Sequence, residues 1–289
     1  MNHNKDQLFR FLFDELGVRG EIVSLDTSFQ AALELHDYPT IVAEQLGQAL
    51  AASLLLSATL KFDGSLIMQI RGNGPISMLV AQADNKQAVR GLAHWNGDVP
   101  DANLATLFGD GVLVMTIKPT KGKAYQGVVS LEGNSLADAL QAYFTQSEQL
   151  KTRLWFAVNN ERAVGLMLQE LPEHDGKQMD WERVEILANT ITDDELLSLD
   201  SEDIIHRLFH GESIRAFEPQ PVEFKCDCSR EKVEASLLTL GQKELRSLLE
   251  EKGIIEADCD FCNKHYQFDK VDIEQLLNEG KSGGSTVQH

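Results

Sequence analysis

The sequence predicts an α+β fold in three parts: an N-terminal antiparallel-sheet domain with a buried central helix, a helical linker, and a small C-terminal domain carrying cysteines. Three observations predict it. Short apolar runs across residues 62–131 are broken by hairpin-type turns. One stretch, 45–60, stays apolar for sixteen residues. All four cysteines lie beyond residue 225, after the composition has turned acidic. An apolar fraction of 43% over 289 residues is enough for a real core.

Residues 5–16 read as a helix with Leu8, Phe11 and Leu12 on one face. Residues 18–25 read as a strand, since Val18, Ile22 and Val23 are β-branched. A short helix follows, capped by Asp26 or Ser28. Pro39 opens the long apolar helix to Leu60, where its missing N–H matters little. The apolar run falls short of the roughly 20 residues a bilayer requires, so it reads as the helix at the domain's centre. Strands are expected over 65–71, 76–83, 88–95, 111–118 and 125–131. Asp63-Gly64, Gly72-Asn73-Gly74-Pro75, Asn96-Gly97 and Lys121-Gly122 supply the turns. Ser135 caps a helix bearing Leu136, Leu140, Tyr143 and Phe144. Strands over 153–158 and 164–170, ended by Pro172, close a domain of residues 1–175.

Residues 176–222 form the linker. Trp181, Val184, Leu187 and Ile191 recur at helical spacing, and Ile204, Ile205, Leu208 and Phe209 make a second apolar face. Such short helices are marginal alone and must lie on another surface. Residues 223–280 form the last domain. Ser229 caps a helix with Val233, Leu237 and Leu238; residues 243–252 form a second helix ending at Gly253. Ile254-Ile255 and residues 265–268 read as strands, and Asp269 starts a final helix. Residues 281–289 are Gly/Ser-rich and expected to be disordered.

The chain carries 45 acidic against 26 basic side chains, a net charge of −19. Residues 180–258 alone hold a net −11, from 20 acids and 9 bases. This excludes nucleic acid as the main partner, which needs a concentrated positive field. It likewise argues against docking on an anionic membrane. The polar start, Met1 to Gln7, lacks a signal-peptide core, so the expected compartment is the cytoplasm, where thiols stay reduced.

The chemistry sits in Cys226-Asp227-Cys228 and Cys259-Asp260-Phe261-Cys262, with thirty residues between the pairs. Two close pairs at this separation have the spacing of a four-thiolate Zn²⁺ site, one ion per chain. Four buried unrelated cysteines, two structural disulfides, or His265 replacing one thiolate are the alternatives. Four thiolates leave no open coordination position, so the site is not a catalytic zinc; it is structural or regulatory. Under an oxidant the shortest loops close most readily, pairing Cys226 with Cys228 and Cys259 with Cys262. Such local bridges do not replace the long-range tie made by metal, and oxidation would loosen the domain.

The runs Glu223-Phe224-Lys225-Cys226-Asp227-Cys228-Ser229-Arg230-Glu231 and Cys259-Asp260-Phe261-Cys262-Asn263-Lys264-His265-Tyr266-Gln267-Phe268 resemble the redox switch of the heat shock protein thirty-three family. These are bacterial redox-regulated chaperones. The likeness extends upstream through Leu60-Lys61-Phe62-Asp63-Gly64, Gly72-Asn73-Gly74-Pro75, Tyr125-Gln126-Gly127-Val128-Val129 and Tyr143-Phe144-Thr145-Gln146-Ser147-Glu148-Gln149. It departs at Val164-Gly165, where the family usually has two glycines. The resemblance implies an ATP-independent holdase, inactive when reduced and zinc-bound. On oxidation the family loses zinc, unfolds its switch and linker, dimerises and holds unfolding client proteins. It later passes them to ATP-driven foldases. Trp181, Leu187, Ile204, Leu208 and Phe209 are then the expected client-binding residues, covered in the folded state by the N-terminal domain.

Two other functions compete. An enzyme would need a catalytic motif, and G-x-S-x-G, H-E-x-x-H and G-x-x-x-x-G-K-[ST] are all missing. Gly72-Asn73-Gly74 reads as a hairpin turn. A thiol-disulfide oxidoreductase would place its CxxC where a strand enters a helix, whereas Cys259 and Cys262 lie between two strands. A structural zinc ribbon that binds nucleic acid would cluster bases near the cysteines. Lys225, Arg230, Lys232 and Lys264 are outweighed there by Asp227, Glu231, Glu234, Asp258 and Asp260.

Overall fold

A computed structural model describes residues 6–34, 36–60, 63–171 and 178–282. The chain divides into two compact units, Met1–Lys225 and Cys226–His289.

The first unit runs β1 (Gln7–Phe13), β2 (Val18–Leu25), α1 (Thr27–Leu33), α2 (Thr40–Ala58), β3 (Gly64–Arg71), β4 (Ile76–Asp84) and β5 (Ala88–Trp95). It continues with α3 (Leu104–Phe108), β6 (Val112–Pro119), β7 (Tyr125–Ser130) and α4 (Leu136–Tyr143), which passes into a π-turn over Phe144–Glu148. Then come β8 (Thr152–Val158), β9 (Ala163–Glu170), α5 (Gln178–Ala188), α6 (Asp193–Ser198) and α7 (Ser201–Phe209). Three short strands, β10 (Ile214–Ala216), β11 (Gln220–Pro221) and β12 (Glu223–Phe224), end the unit. One sheet has the order β10-β1-β2-β9-β8, with β11 also paired to β1. The other has the order β12-β5-β4-β3-β6-β7. All pairings in both are antiparallel except β12 with β5.

Helix α2 is apolar on every side because both sheets close on it. Its Leu46, Leu50, Leu54 and Leu55 join Val23, Leu25 and Met167 of the first sheet and Leu66, Met68, Leu79 and Ala81 of the second in one core. By length and composition α2 could cross a membrane, yet two thirds of its apolar window is buried inside the protein. Its two buried serines donate back to carbonyls within the helix, Ser53 to Leu50 and Ser57 to Leu54. Strand β5 can approach this closely because residue 91 is glycine; a Cβ there would stand 2.8 Å from Leu50 Cδ2.

The outer face of the first sheet is equally apolar. Phe9, Phe11 and Phe13 of β1, Val18 and Ile22 of β2, and Val164, Leu166 and Leu168 of β9 form a second core. Its cover is α5–α7, through Trp181, Val184, Ala188, Leu196, Ile204, Leu208 and Phe209. The Phe209 ring stands edge-on to Phe13 at 5.0 Å and tilted against Phe11 at 6.1 Å. Gly20 faces Phe11 across the β1–β2 ladder and leaves room for that ring. Polar ties add to the packing. Arg162 donates to the Leu197 carbonyl at 2.6 Å and to Ser24 Oγ at 2.5 Å, and Arg153 pairs with Glu185 at 2.5 Å.

Two expectations need correction. The helix expected over 5–16 is not formed in the described residues 6–16: β1 is a strand, because Leu8 buries against the α2 layer while Phe9, Phe11 and Phe13 bury on the opposite side. Alternation with both faces covered mimics helical spacing in a short window. Residues 214–216 and 220–221 of the expected linker, and 223–224, expected to open the last domain, form three short strands that borrow partners from β1 and β5. Helix α3, capped by the Asn103 side chain, was not foreseen. The expected close of the sheet domain over 172–175 lies outside the described residues. So does most of the expected disordered tail, although the last helix of the chain runs to Ser282.

One buried acid has a pH consequence. Glu21 is 3% exposed on the α2 side of β2, opposite Arg10 in the ladder. Its Oε2 has no hydrogen-bond partner. Burial pushes its carboxyl up to about 7, against the opposing pull of Arg19 and Arg10. A carboxyl whose folded pKa is raised supports the fold below its unfolded value and withdraws that support as pH rises toward 7. Glu21→Gln, which mimics the protonated form, is therefore expected to leave stability unchanged near pH 4. Near pH 8 it should add on the order of 3 kcal/mol. Denaturant midpoints of both proteins at the two pH values check this.

Candidate metal centre

The second unit contains α8 (Arg230–Leu238), α9 (Gln242–Lys252), β13 (Ile255–Asp258), β14 (His265–Phe268) and α10 (Lys270–Ser282). Its apolar core among the described residues is small: Leu237, Leu245, Ile255, Tyr266, Phe268, Ile273 and Leu277. Seven side chains are few for a free-standing fold of this length. Arg230 reinforces them. It lies 4.3 Å over the Phe268 ring, pairs with Glu234 and Asp272, and donates to the Gln267 carbonyl.

Each cysteine pair is set by its local structure. Cys226 and Cys228 immediately precede α8, whose first turn is capped by Ser229 Oγ accepting from the Lys232 N–H. Cys259 and Cys262 occupy the turn between β13 and β14. There the N–H groups of Cys262 and Asn263 both donate to the Cys259 carbonyl, at 3.1 and 2.7 Å. Asn263 takes the left-handed conformation, φ 51°, that this tight reversal requires. The Cys259 N–H then donates to the Lys264 carbonyl and closes the knuckle into the β13–β14 ladder.

These two turns bring all four sulfurs within 4.8 Å of one another. Cys226 Sγ lies 3.7 Å from Cys259 Sγ, and Cys228 Sγ lies 3.4 Å from Cys262 Sγ. None of the four is joined in a disulfide. A tetrahedral ion with metal–sulfur bonds of ~2.3 Å would space its sulfurs about 3.8 Å apart, so the cluster has the donor set and dimensions to hold a metal ion. His265 is not drawn in: its Nδ1 contacts Asp258 Oδ1 at 2.7 Å, which pushes its pKa up.

The thiols are electrostatically unequal. Burial pushes Cys228 up, but the Tyr266 hydroxyl, donating at 3.2 Å, and the neighbouring thiols outweigh it, and the pKa falls to about 7. Burial pushes Cys262 up to about 12 despite the Lys264 N–H, and Cys259 also rises through burial. Sequence reasoning found the four cysteines but not Tyr266. The available signal was a tyrosine four residues beyond Cys262, on the strand that leaves the knuckle.

The side chains expected to bind clients are not at this cluster. Trp181, Ile204, Leu208 and Phe209 are at most 5% exposed, and Leu187 is half-buried against the same core. They belong to the cover on the first sheet's outer face.

A family model described as Hsp33 protein matches residues 6–269. The 33 kDa chaperonin of Nitrosococcus oceani is 55% identical over 277 residues, covering 96% of each chain. The 33 kDa chaperonin of Pseudomonas aeruginosa is 46% identical over the full length of both. Among solved structures, the 33 kDa chaperonin (heat shock protein 33 homolog) of Thermotoga maritima superposes with a TM-score of 0.79 at 26% identity. That match covers 96% of this chain and 99% of the other.

The unequal thiols predict an order of reaction. In the reduced protein stripped of metal at about pH 7.5, Cys228 should alkylate ahead of Cys262 as long as the turn between β13 and β14 holds; equal rates would show that the cluster loses its geometry without metal. Tyr266→Phe removes a donor to the Cys228 thiolate and should narrow that difference. Mass spectrometry of iodoacetamide-treated peptides over time measures both.

Proposed function

The chain belongs to the Hsp33 protein family, and from that premise and the thiol cluster we propose that it is a redox-regulated, ATP-independent holdase chaperone. The observation that carries this reading is four cysteine sulfurs within 4.8 Å of one another and not in disulfides, in a unit with a seven-residue apolar core. In the reduced state Cys226, Cys228, Cys259 and Cys262 hold one Zn²⁺ as thiolates, which supplies much of that unit's folding energy. A two-electron oxidant of the peroxide or hypohalous class takes two electrons from each pair of thiolates and leaves one S–S bond per pair. Two such steps consume all four ligands. Two close sulfur contacts of the folded cluster, Cys226 with Cys259 and Cys228 with Cys262, run between the two turns. Loss of the ligands lets the turns part, after which the smallest loops, Cys226–Cys228 and Cys259–Cys262, close.

Loss of order from Cys226 onward favours release of the short strands that precede it in the chain. Helices α5–α7 then detach, exposing Trp181, Leu187, Ile204, Leu208 and Phe209 together with the aromatic face of β1. Burying an unfolding chain on such a surface is worth roughly 25 cal/mol per Å² and needs no nucleotide. The acidic side chains of 180–258 keep the complex soluble. On this reading the active form is a homodimer, works in the cytoplasm, and passes clients to ATP-driven foldases once thiols are reduced again. It is not an enzyme: thiol oxidation is its trigger, not its turnover. Neither a disulfide oxidoreductase nor a nucleic-acid-binding zinc ribbon gains any specific support from the geometry.

Treating the reduced, zinc-loaded protein with peroxide is the test. Zinc release, loss of helicity and suppression of a model protein's aggregation should rise together. Suppression that appears with the zinc still bound would overturn the mechanism. A linker variant separates the trigger from the surface. Phe209→Asp places a charge in the aromatic cluster and should weaken linker docking by about 3–5 kcal/mol. The reduced variant should therefore suppress aggregation without oxidant and lose hydrogen-exchange protection in α5–α7.

A further inference from the structure

Helix α7 carries a pair of histidines that none of the reactions above employs. His206 and His210 are one helical turn apart, and both are exposed. Residue 210 keeps right-handed helical dihedrals, φ −57° and ψ −18°, so the i,i+4 relation holds through the C-cap. The two imidazole centroids are 6.1 Å apart. Two imidazoles sharing one ion through bonds of ~2.0–2.1 Å place their centroids about 5 Å apart, a gap that side-chain rotation closes. Arg207, the nearest base in sequence, is held by Glu195 and Thr190.

We propose that His206 and His210 bind a divalent transition-metal ion of the Zn²⁺ class across one turn of α7, with water completing its coordination. This site is separate from the cysteine cluster. Its ligands stand in register only while α7 is helical. An ion bound there therefore favours the folded helix over the unfolded one by the factor 1 + [ion]/Kd. The same helix carries Ile204, Leu208 and Phe209 into the core on the first sheet. If the holdase reading is right, the ion raises the threshold for linker release, and this regulatory consequence rests on that reading.

The test starts from reduced protein already loaded with one equivalent of zinc on its thiols. Calorimetric titration with further Zn²⁺ should show a second equivalent, lost in both His206→Gln and His210→Gln. Both positions are exposed, so matching circular dichroism spectra should show the variants folded. Hydrogen exchange at the α7 amides should slow about tenfold at a free zinc concentration ten times Kd in the parent protein, and not in the variants. A second equivalent that survives both substitutions overturns the site. Binding without slower exchange in α7 overturns the link to helix stability. Neither readout involves oxidation or a client, so failure here leaves the holdase reading intact. Failure of the proposed thiolate site would show instead as an absent first equivalent.

Discussion

The sheet formed by β10, β1, β2, β9 and β8 carries large apolar side chains on both faces, and neither face is able to remain in water. Helix α2 covers one of them, and its enclosure by a second sheet makes that half of the unit a conventional buried core. The other face, led by Phe9, Phe11 and Phe13, is covered by chain that arrives almost two hundred residues later. The cover consists of three helices of 11, 6 and 9 residues, each too short to persist in isolation. Helices and sheet face therefore depend on each other. A surface that must be covered, under a cover that folds only in place, can pass between two states with little change elsewhere.

That mutual dependence also explains what the sequence reveals of this fold. The hairpin strands β3–β7 stand out because one face of their sheet packs on α2 and their turns carry Gly, Asn and Pro. β1 does not, because burial on both sides erases the simple alternation that marks a half-exposed strand. β10 to β12 are two or three residues long and exist only through pairing with β1 and β5, partners more than a hundred residues away. No local signal encodes such a strand. The cysteine cluster was legible from spacing alone, because two turns can each present a pair of sulfurs. The inequality of its thiols was not. It arises from burial and from Tyr266, whose hydroxyl reaches Cys228 only once β14 has paired with β13.

The second unit is small enough that its few apolar contacts and its thiols must be considered together. Leu245, Phe268 and Ile273 are fully buried, but much of the remaining surface of α8 and α9 is exposed and charged. Arg230 holds three parts of the unit at once, through Phe268, Asp272 and the Gln267 carbonyl. These pairs are largely solvent-exposed, and such pairs add little each. On the proposed reading the ion held by the four sulfurs would supply much of this unit's stability, and would place a chemical control on a physical equilibrium.

The position of β12 makes such a control effective. It ends at Phe224, and the first cysteine of the cluster is Cys226. Two ladder positions, Glu223 with Ala88 and Phe224 with Val89, the Glu223 and Lys225 N–H groups on the Gln87 and Val89 carbonyls, and the burial of Val222 and Phe224 against the α2 core fasten this end of the linker. A pairing so short has little cooperativity of its own. If the chain from Cys226 onward loses its order, the entropy gained by releasing β12 sets in against two rungs rather than a full strand. The next attachments upstream, β11 and β10, are equally brief, with two and three paired positions on β1. On the proposed reading, release would proceed from the cysteines back toward α7 in small steps. The full-length strands β2, β9 and β8, and the α2 core beneath them, have seven or eight ladder positions each and remain as the stable platform.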